Sequence, residues 1–310
     1  MYHKSSKRVS IITVNYNQPL VTLDFLRSVR NNSNIDELEV ILVDNGCKEN
    51  HEALFKSEYP DLVYLNSAKN LGFAGGNNLG VKIAKGEFLF FLNNDTEISK
   101  NLIDALVSEM NANPEIGLIS PLIRYFDHPD TIQYAGFTNM NYLTCRNKGI
   151  GNMEKDVGQY DEDSRETGYC HGAAMMCRRH DLECVGLMEE HYFLYYEELD
   201  WCEKFRKSGK KIWFTGRASI FHKESISVGK QSAIKTYFMT RNRMLFIRRN
   251  TGYLNKLLFT MYYVTFACSR QVILYVKEGR MDLVKYVISG LLWNFMNRKD
   301  SHKLGFKIKN

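Results

Sequence analysis

Three polar residues, Asn93, Asn94 and Asp95, directly follow the apolar run Phe88–Leu92. A short continuous apolar run is typical of a strand buried on both faces, so this polar cluster stands where such a strand leaves the core. Ligands of open α/β sheets bind beyond the carboxyl ends of the strands, and a carboxylate flanked by amides can hold a divalent cation with its phosphates. Taken alone, the stretch fits an ordinary Asn/Asp turn before a helix equally well.

A second acidic group, Glu197, Glu198 and Asp200, stands at the predicted start of a helix, behind the aromatic segment 192–196. A carboxyl group walled by aromatic rings has the raised proton affinity that a general base needs. The alternative is that acidic residues in a first turn complement the helix dipole. His171 and His222 are isolated histidines, which suit either metal ligation or a structural role.

The elements that would position these residues alternate between strand and helix over the first 115 residues. Strands are predicted over 9–17, 38–46, 62–65 and 87–92, each followed by a predicted helix. This alternation predicts a parallel sheet with helices on both faces. Three of the strands end in polar clusters, which parallel strands would bring together at one edge: Asn15 and Asn17, Asp44 and Asn45, and Asn93 to Asp95.

The glycine-rich stretch Asn70–Asn78 precedes a helix predicted near 76–85. It lacks the glycine spacing of a dinucleotide-binding turn and the Gly-Lys-Ser/Thr ending of a phosphate loop, so redox Rossmann and P-loop functions are disfavoured. Its glycines permit either close approach of a ligand or a tight turn. Residues 116–170 are less regular, with a mobile segment expected around 150–166, and short strands are predicted at 211–214 and 218–222.

Charge divides the 310-residue chain unevenly: residues from Lys223 onward carry 17 Lys and Arg against four Asp and Glu, whereas residues 1–222 carry a net charge of −7. Aromatic and apolar residues are interleaved with this basic charge. The pattern predicts amphipathic helices lying on an anionic membrane, and no nucleic-acid partner is expected. Within residues 254–276 the longest charge-free run, Leu257–Ser269, is short for a membrane span. A helical cap or an oligomer interface is the alternative.

An ordered set of motifs makes the sequence resemble family 2 glycosyltransferases of the GT-A fold, especially the rhamnosyltransferase-like branch. The matching blocks are Val9–Asn17, Val40–Gly46, Asn70–Asn78, Asn93–Thr96, Phe193–Asp200 and Arg241–Arg243. The resemblance implies a Rossmann-like, mostly parallel sheet flanked by helices, in a domain over residues 1–232. A basic helical extension would follow over 233–310.

The resemblance also implies roles for individual residues. A nucleotide sugar would be bound by the polar strand ends and the glycine stretch, through Asn15, Tyr16, Asn17, Asp44, Asn45, Asn70, Gly72, Phe73, Gly75, Gly76, Asn77, Asn78, Asn93 and Asn94. Asp95 and His222 would hold Mg²⁺ or Mn²⁺. Glu198 matches the family's catalytic base, although the family has Asp there, so Glu197 and Asp200 stay as alternatives. Phosphate or acceptor contacts are predicted for His171, Gly172, Arg241 and Arg243.

The predicted function is inverting transfer of a sugar from a nucleotide diphosphate donor, either dTDP-rhamnose or a UDP-sugar. The predicted acceptor is a lipid-linked glycan or surface polysaccharide precursor at the inner face of a bacterial membrane, where the protein would be peripheral and cytoplasmic. A non-catalytic homologue that binds sugar nucleotides or carbohydrates is the alternative, because Asn93 and Glu198 depart from the family pattern.

Overall fold

The fold is described by a computed structural model covering residues 8–224 and 231–308. A mixed β-sheet runs through its centre. Its strands are β1 (Val9–Asn15), β2 (Leu38–Asn45), β3 (Val63–Ser67), β4 (Phe88–Leu92), β5 (Thr96–Ile98), β6 (Ile116–Tyr125), β7 (Ile132–Tyr134), β8 (Ser164–Glu166), β9 (Ala174–Arg178) and β10 (Lys211–His222). The α-helices are α1 (Pro19–Asn32), α2 (Glu52–Glu58), α3 (Gly72–Val81), α4 (Leu102–Ala112), α5 (Leu182–Val185), α6 (Glu197–Lys207), α7 (Ala233–Asn250), α8 (Tyr253–Tyr262), α9 (Ser269–Lys277) and α10 (Met281–Met296).

The first half of the sheet is parallel, as the alternating pattern predicts. Strand β1 pairs in parallel with both β2 and β4, and β2 pairs in parallel with β3. The apolar runs of β2 and β4 are buried along their whole length because helices cover both faces. The carboxyl ends of β1, β2 and β4 therefore lie side by side, which confirms the predicted α/β architecture.

The second half adds antiparallel strands to this parallel arrangement, although β10 pairs in parallel with β6. Strand β9 runs antiparallel between β4 and β6, and β5 pairs antiparallel with β10. Strand β10 is one long strand where two short ones are predicted, since an irregularity between Thr215 and Ser219 interrupts its pairing with β6 without ending the strand. This strand delivers His222 to the edge where β4 ends.

The glycine-rich stretch differs from its prediction as a loop before a helix near 76–85. Helix α3 already begins at Gly72, so the glycines lie within its first turns. The physical reason is packing: a Cβ on Gly76 would lie 3.0 Å from the side chain of Val14, and one on Gly80 would lie 2.6 Å from Ile12. Small residues let this helix lie directly on β1, which outweighs their low helix propensity.

Two hydrophobic clusters lie on opposite faces of the sheet. Helices α1, α2 and α4 cover one face, whereas α3, α6 and the C-terminal helices α7–α10 contribute to the other. Trp201 of α6, Leu245 of α7 and Trp293 of α10 are all buried in this second cluster. The C-terminal helices therefore share a hydrophobic core with the sheet. The division into domains at 232/233 stays a prediction, and residues 225–230 beside that boundary lie outside the described residues.

A single continuous helix runs from Tyr253 to Lys277. It consists of α8, a π-helical segment over Tyr263–Cys268, and α9. Although its charge-free stretch is short, the 25-residue helix is long and apolar enough to cross a membrane, by length and composition only. Most of its apolar window is not buried against the rest of the protein.

Candidate functional site

The polar strand ends open into a cleft of about 510 Å³ at the carboxyl edge of β1, β2 and β4. The first half of the chain supplies one wall, and the segments 170–173, 193–199 and His222 supply the other. Fourteen of the residues predicted for the site line this cleft: Tyr16, Asn45, Asn70, Gly72, Phe73, Asn77, Asn93, Asn94, Asp95, His171, Gly172, Glu197, Glu198 and His222. The cleft thus brings together residues more than 200 positions apart.

A chain of hydrogen bonds ties the strand ends together behind the cleft. The Asn94 amide donates to Thr22 Oγ1 (2.9 Å), and that hydroxyl donates to Asn15 Oδ1 (3.0 Å). The Asn15 amide in turn donates to Asp44 Oδ1 (2.9 Å), whose other oxygen accepts from Tyr64 (2.7 Å). Asn15 and Asp44 are fully buried and do not line the cleft. In this structure they hold the edge in register.

The start of α3 is fastened to the end of β2. The Asn45 amide donates to Asn70 Oδ1 (3.2 Å) and to the Gly72 carbonyl (3.1 Å), and Asn45 Oδ1 accepts from the Leu71 N–H (2.9 Å). Gly75, Gly76 and Asn78 do not line the cleft. The two glycines pack against side chains, and the Asn78 amide donates to the Met188 carbonyl (2.9 Å). Only one side of the glycine-rich stretch therefore faces the cleft.

Asn17 also stays outside the lining, although Tyr16 and Gln18 beside it are part of it. Its backbone is left-handed, with φ of 54°, and its side chain is exposed. Its N–H donates to Cys47 Sγ at 3.0 Å. Asn17 thus acts through the turn that connects β1 to α1.

Asp95 and His222 form a pair suited to a divalent cation. His222 Nε2 lies 3.2 Å from Asp95 Oδ1, and both side chains are almost completely buried. Asp95 Oδ1 has no hydrogen-bond partner, while His222 Nδ1 is 2.8 Å from Gln133 Oε1. A proton on Nδ1 would satisfy Gln133 and leave the Nε2 lone pair facing a carboxylate. Two adjacent ligands of an octahedral Mg²⁺, each about 2.1 Å from the ion, lie about 3 Å apart, so these residues fit such a cation.

Another possible metal-binding group, Asp44, Cys47 and His51, lies beside β2. Its ligand atoms are already engaged, because both Asp44 oxygens accept hydrogen bonds and His51 Nδ1 lies 3.3 Å from Asp44 Oδ2. Burial raises the pKa of Cys47 to about 12, whereas metal binding requires the thiolate. The pair Asp95 and His222 is therefore better suited to bind a cation than the group Asp44, Cys47 and His51, because Asp95 Oδ1 has no hydrogen-bond partner.

The acidic pair Glu197 and Glu198 enters the cleft from a strained turn. Phe193, Tyr195 and Tyr196 all have positive φ, between 66° and 76°. Such conformations cost about 1–3 kcal/mol each in bulky residues and concentrate at functional sites. The turn begins α6 so that both carboxyl groups face the cleft from its first turn.

The two carboxyl groups have different surroundings. Glu197 is 2% exposed, and its Oε2 has no hydrogen-bond partner. Burial, and secondarily the charge of Glu198, raises the pKa of Glu197 well above its usual range. Burial also raises the pKa of Glu198, but backbone N–H groups at the helix start oppose that rise, and the side chain is only half-buried. Of the two, the protonated form is therefore favoured more strongly in Glu197 than in Glu198.

Asp200, the third predicted carboxylate, does not reach the cleft. It is buried on the other side of α6, where Oδ1 accepts hydrogen bonds from Tyr192 (2.9 Å) and Asn250 (2.7 Å) and lies 3.5 Å from Arg249. The structure therefore does not support Asp200 as a base, because one residue past Leu199 the helix has turned away from the opening.

Arg241 lies outside the cleft as well, contrary to its predicted phosphate contact. It is fully buried, and it donates to the carbonyls of His191, Tyr192 (2.9 Å) and Leu304 (2.7 Å). Burial lowers the pKa of Arg241 to about 10. Its donors are directed at protein carbonyls and not at the ligand space.

The neighbour of Arg241, Asn242, contacts the acidic turn directly. Its amide nitrogen lies 2.8–3.0 Å from the carbonyls of Tyr192, Leu194 and Tyr195. Together, Arg241 and Asn242 secure the left-handed backbone that aims Glu197 and Glu198. Arg243 faces the opposite side of α7 and donates to the Cys145 carbonyl (3.3 Å).

His171 lies in the floor of the cleft. Its ring stacks on Phe137, with centroids 6.3 Å apart, and is 5.8 Å from the ring of His222. Burial, reinforced by His222, lowers the pKa of His171 to about 3, so its imidazole is neutral near neutral pH. Gly172 next to it faces Glu198, whose Cγ would lie 3.6 Å from an added Cβ. A neutral, compact floor thus lies under the acidic pair.

Several residues that line or support the cleft belong to no motif that could be recognised in the sequence. Gln133 and Phe137 lie in the irregular region 116–170, yet they orient His222 and His171. Asn147 lines the cleft from the same region with an unpartnered amide nitrogen. Asn242 lies within the recognised block Arg241–Arg243, and that block was the one indication of its importance.

Known proteins resemble this chain in sequence and in fold. The family model for "Glycosyl transferase family 2" matches residues 10–186, more than half of the chain. The chain is 24% identical over 271 residues to the low-salt glycan biosynthesis hexosyltransferase Agl10 of Haloferax volcanii, covering 84% of this chain and 83% of Agl10. It is also 24% identical over 222 residues to the N-acetylglucosaminyl-diphospho-decaprenol L-rhamnosyltransferase of Mycobacterium tuberculosis, covering 63% and 70% of the two chains.

Among solved structures, the crystal structure of GalNAc-T7 with UDP, GalNAc and Mn²⁺ superposes with a TM-score of 0.66 at 16% identity. The match covers 94% of this chain and 56% of that one, and it confirms the fold. The extent of the family match confirms the resemblance seen in the sequence. The chain belongs to glycosyl transferase family 2.

Proposed function

We propose that this glycosyltransferase inverts the anomeric centre of a sugar as it moves it from a nucleoside diphosphate, either dTDP-rhamnose or a UDP-sugar, to an acceptor hydroxyl. One observation carries the proposal: the Glu197–Glu198 pair and the Asp95–His222 pair face a single cleft. Inversion needs one base on the acceptor and charge stabilisation of the leaving diphosphate, and these two pairs supply groups of both kinds.

Glu198 is the proposed base. Its carboxylate takes the proton of the acceptor hydroxyl as that oxygen bonds to the anomeric carbon, while the bond from that carbon to the diphosphate oxygen breaks and its electron pair leaves with the diphosphate. Because its pKa is raised, Glu198 binds this proton more readily than a solvated glutamate would. Glu197 is the alternative base, but its carboxyl group is more deeply buried.

Asp95 and His222 are the proposed ligands for Mg²⁺ or Mn²⁺. When bound there, the cation supplies Lewis-acid stabilisation of the departing diphosphate. Gln133 holds the His222 ring through Nδ1, which keeps Nε2 directed at Asp95. The nucleotide-sugar contacts assigned to residues of the first half, from Tyr16 to Asn94, belong to the same proposal.

The proposed acceptor is a lipid-linked glycan or polysaccharide precursor. The name of the mycobacterial relative specifies a diphospho-decaprenol acceptor, which supports this class. The exposed apolar residues of the helix 253–277 support a location on the membrane surface. The proposed location is the inner face of a bacterial membrane, where the protein would act as a peripheral enzyme of glycan assembly.

A donor screen followed by turnover tests the proposal. Thermal shift against a panel of sugar nucleotides with Mn²⁺ or Mg²⁺ identifies the donor, because a ligand that binds the folded state raises the melting temperature. With that donor, Asp95→Ala is expected to remove most metal-dependent binding, and Glu198→Gln to lower kcat at least about 100-fold while donor binding persists.

The exposed residue Asp127 offers a control, since Asp127→Ala removes a carboxylate that lies outside the cleft. Unchanged turnover in both Asp95→Ala and Glu198→Gln would refute the assigned roles. Nucleotide binding by the wild-type protein, with no hydrolysis or transfer for any sugar, would establish a non-catalytic binding protein instead.

A further inference from the structure

A second cavity, of about 380 Å³, lies between α7, the π-helical segment and α9. Four basic side chains line it, Arg146, Lys235, Arg243 and Arg270, and the described lining contains no Asp or Glu. Such a concentration of one charge in a concave, partly apolar site attracts anions. We name this cavity the basic pocket.

The basic pocket adjoins the catalytic cleft at two places. Arg146 lines the pocket while the next residue, Asn147, lines the cleft. In the same way, Lys235 lines the pocket while Ile234 lines the cleft. The chain at these two places therefore borders both cavities, so the pocket and the cleft are neighbours in the structure.

The outer rim of the pocket is apolar and exposed. Phe266 and Leu274 line the pocket with 60% and 39% of their surfaces exposed, and Met239 is 38% exposed. In the helix 253–277, which contains Phe266 and Leu274, Met261 is 59% exposed and Ile273 is 55% exposed. The ligand suited to this combination carries an anionic group for the pocket and a hydrocarbon chain for the rim.

Local structure supports a binding role for the pocket. Its wall includes residues of the π-helical segment, a rare conformation that is frequent at functional sites. The Thr236 hydroxyl is 3.1 Å from the Tyr275 hydroxyl, and Tyr263 donates to the Thr240 carbonyl (3.1 Å). The wall behind the basic side chains is thus internally hydrogen-bonded. Arg243 also donates to the Cys145 carbonyl (3.3 Å), which leaves Arg146, Lys235 and Arg270 as the basic groups proposed to contact a ligand.

We propose that the basic pocket binds the phosphate or diphosphate group of an amphiphilic lipid, with its hydrocarbon chain along the exposed rim and its sugar in the cleft. This inference rests on the proposed function and assigns a site for the anionic part of its acceptor. Arginine suits that ligand because its planar guanidinium can donate two parallel hydrogen bonds to a phosphate.

Calorimetry with the full chain in EDTA tests the proposal, since chelation keeps a diphosphate from using a cation in the cleft. The probes are farnesyl diphosphate, farnesol and inorganic pyrophosphate. We expect farnesyl diphosphate to bind at least about tenfold more tightly than either of the others, because only it offers both a charge-paired head and an apolar chain. Equal binding of pyrophosphate would show a site for free phosphate, and equal binding of farnesol would show an apolar groove. Either result would overturn the assignment.

Charge reversal locates the site. The double variant Arg146→Glu/Arg270→Glu is expected to weaken farnesyl diphosphate binding at least about tenfold. Its matched control is Lys148→Glu/Lys277→Glu, which changes the net charge equally at exposed positions outside the pocket. All four side chains are exposed, so folding is expected to persist. Equal weakening in both variants would refute a specific pocket in favour of general attraction.

Two wild-type measurements separate this inference from the proposed function. Binding of UDP or dTDP with Mn²⁺ reports on the cleft, whereas binding of farnesyl diphosphate in EDTA reports on the pocket. Nucleotide binding without amphiphile binding would overturn only the pocket assignment. Amphiphile binding without any nucleotide binding would overturn only the proposed donor chemistry.

Discussion

At the scale of single residues, Glu197 and Glu198 show how neighbours in sequence acquire different chemistry. Both begin the same helix, yet Glu197 is enclosed and has an unpartnered oxygen, while Glu198 borders the open cleft. Burial of a carboxyl group favours its protonated form, since desolvation penalises the charge. The pKa of Glu197 is raised further than that of Glu198, so Glu198 is the more readily ionised of the two, as an acceptor of protons must be.

Glu197→Gln is expected to stabilise the protein increasingly as pH rises. Glu197 has a higher pKa in the folded than in the unfolded chain, so the folded state holds the extra proton and loses stability as pH rises above the unfolded pKa. Glutamine removes that loss, so the free energy of unfolding is expected to increase by about 1 kcal/mol at pH 8 and to change little at pH 4. Thermal unfolding of both proteins across this range measures the difference.

Glu203, also buried on α6, provides the opposite control. It accepts hydrogen bonds from Tyr142 and Tyr169 and pairs with Arg206 at 2.9 Å. Glu203→Gln is therefore expected to lower stability, because it weakens charge-assisted hydrogen bonds. A pH-independent effect of Glu197→Gln would contradict the protonation assigned to that residue.

At the scale of elements, the site depends on the junction between α3 and the turn before α6. Gly72 has φ of +74°, and a Cβ there would lie 2.1 Å from the Phe193 carbonyl oxygen. The Phe73 N–H donates to that same carbonyl at 2.8 Å. The nucleotide-side helix thus touches the backbone that aims the acidic pair, and only glycine permits this distance.

Gly72→Ala is expected to lower both stability and kcat, because the turn before α6 must shift. Gly209→Ala is the matched control: its φ of +84° imposes a similar strain of about 1 kcal/mol, but nothing lies within 4 Å of the added methyl group. Melting temperature and single-turnover rate are the two measurements. Equal effects of the two substitutions would show that left-handed strain alone, and not contact with Phe193, makes glycine necessary at position 72.

Helix α7 contributes to the same turn through Asn242. Asn242→Ala leaves the carbonyls of Tyr192, Leu194 and Tyr195 without their shared donor, so we expect a loss of about 1–3 kcal/mol of stability. We also expect kcat to fall about tenfold with little change in KM for the donor, because misplaced carboxyl groups affect reaction more than binding.

Asn294→Ala distinguishes positioning from stability. Asn294 is likewise buried, and its amide donates to the Arg241 carbonyl (2.9 Å), but it does not touch the turn. Its substitution is expected to lower the melting temperature without a comparable fall in kcat. Parallel changes in kcat and melting temperature in both variants would refute a positioning role for Asn242.

At the scale of the whole molecule, the C-terminal helices combine a packed face with an unpacked one. Val287 and Trp293 of α10 belong to the core over the sheet, while Ile288, Leu292 and Phe295 of the same helix are each about half exposed. Basic residues stand among the exposed apolar ones. This arrangement suits a surface that rests on lipid headgroups while the cleft stays open to water.

Binding to anionic vesicles is expected, and it should weaken as salt screens the attraction. Met261→Asp/Ile273→Asp is expected to reduce co-sedimentation about tenfold or more, since both side chains would lose apolar contact with lipid. Val157→Asp, at a side chain that is 75% exposed outside these helices, is the control. Absence of binding at low salt would refute membrane association, and resistance to carbonate washing would indicate a helix 253–277 that spans the bilayer.

The sequence alone determined the alternation of strands and helices and the polar ends of β1, β2 and β4. It also determined that the block containing Asp95 and the block containing Glu197 and Glu198 belong to one family's set of motifs. These features are local, because the periodicity of apolar residues and the polar residues at the strand ends depend only on residues that are adjacent in sequence. The parallel first half of the sheet followed from them, and so did the cleft at its edge.

Only the tertiary structure decided which predicted residues face a ligand. Gln133 meets His222 across 89 positions, and Asn242 reaches the turn before α6 across almost 50, so no local pattern could reveal either contact. Asp200 and Arg241 carry the right charges but point into protein, because helical rotation and burial direct them there. Residue type sets the chemistry that a side chain can perform, whereas long-range packing sets the direction in which it can act.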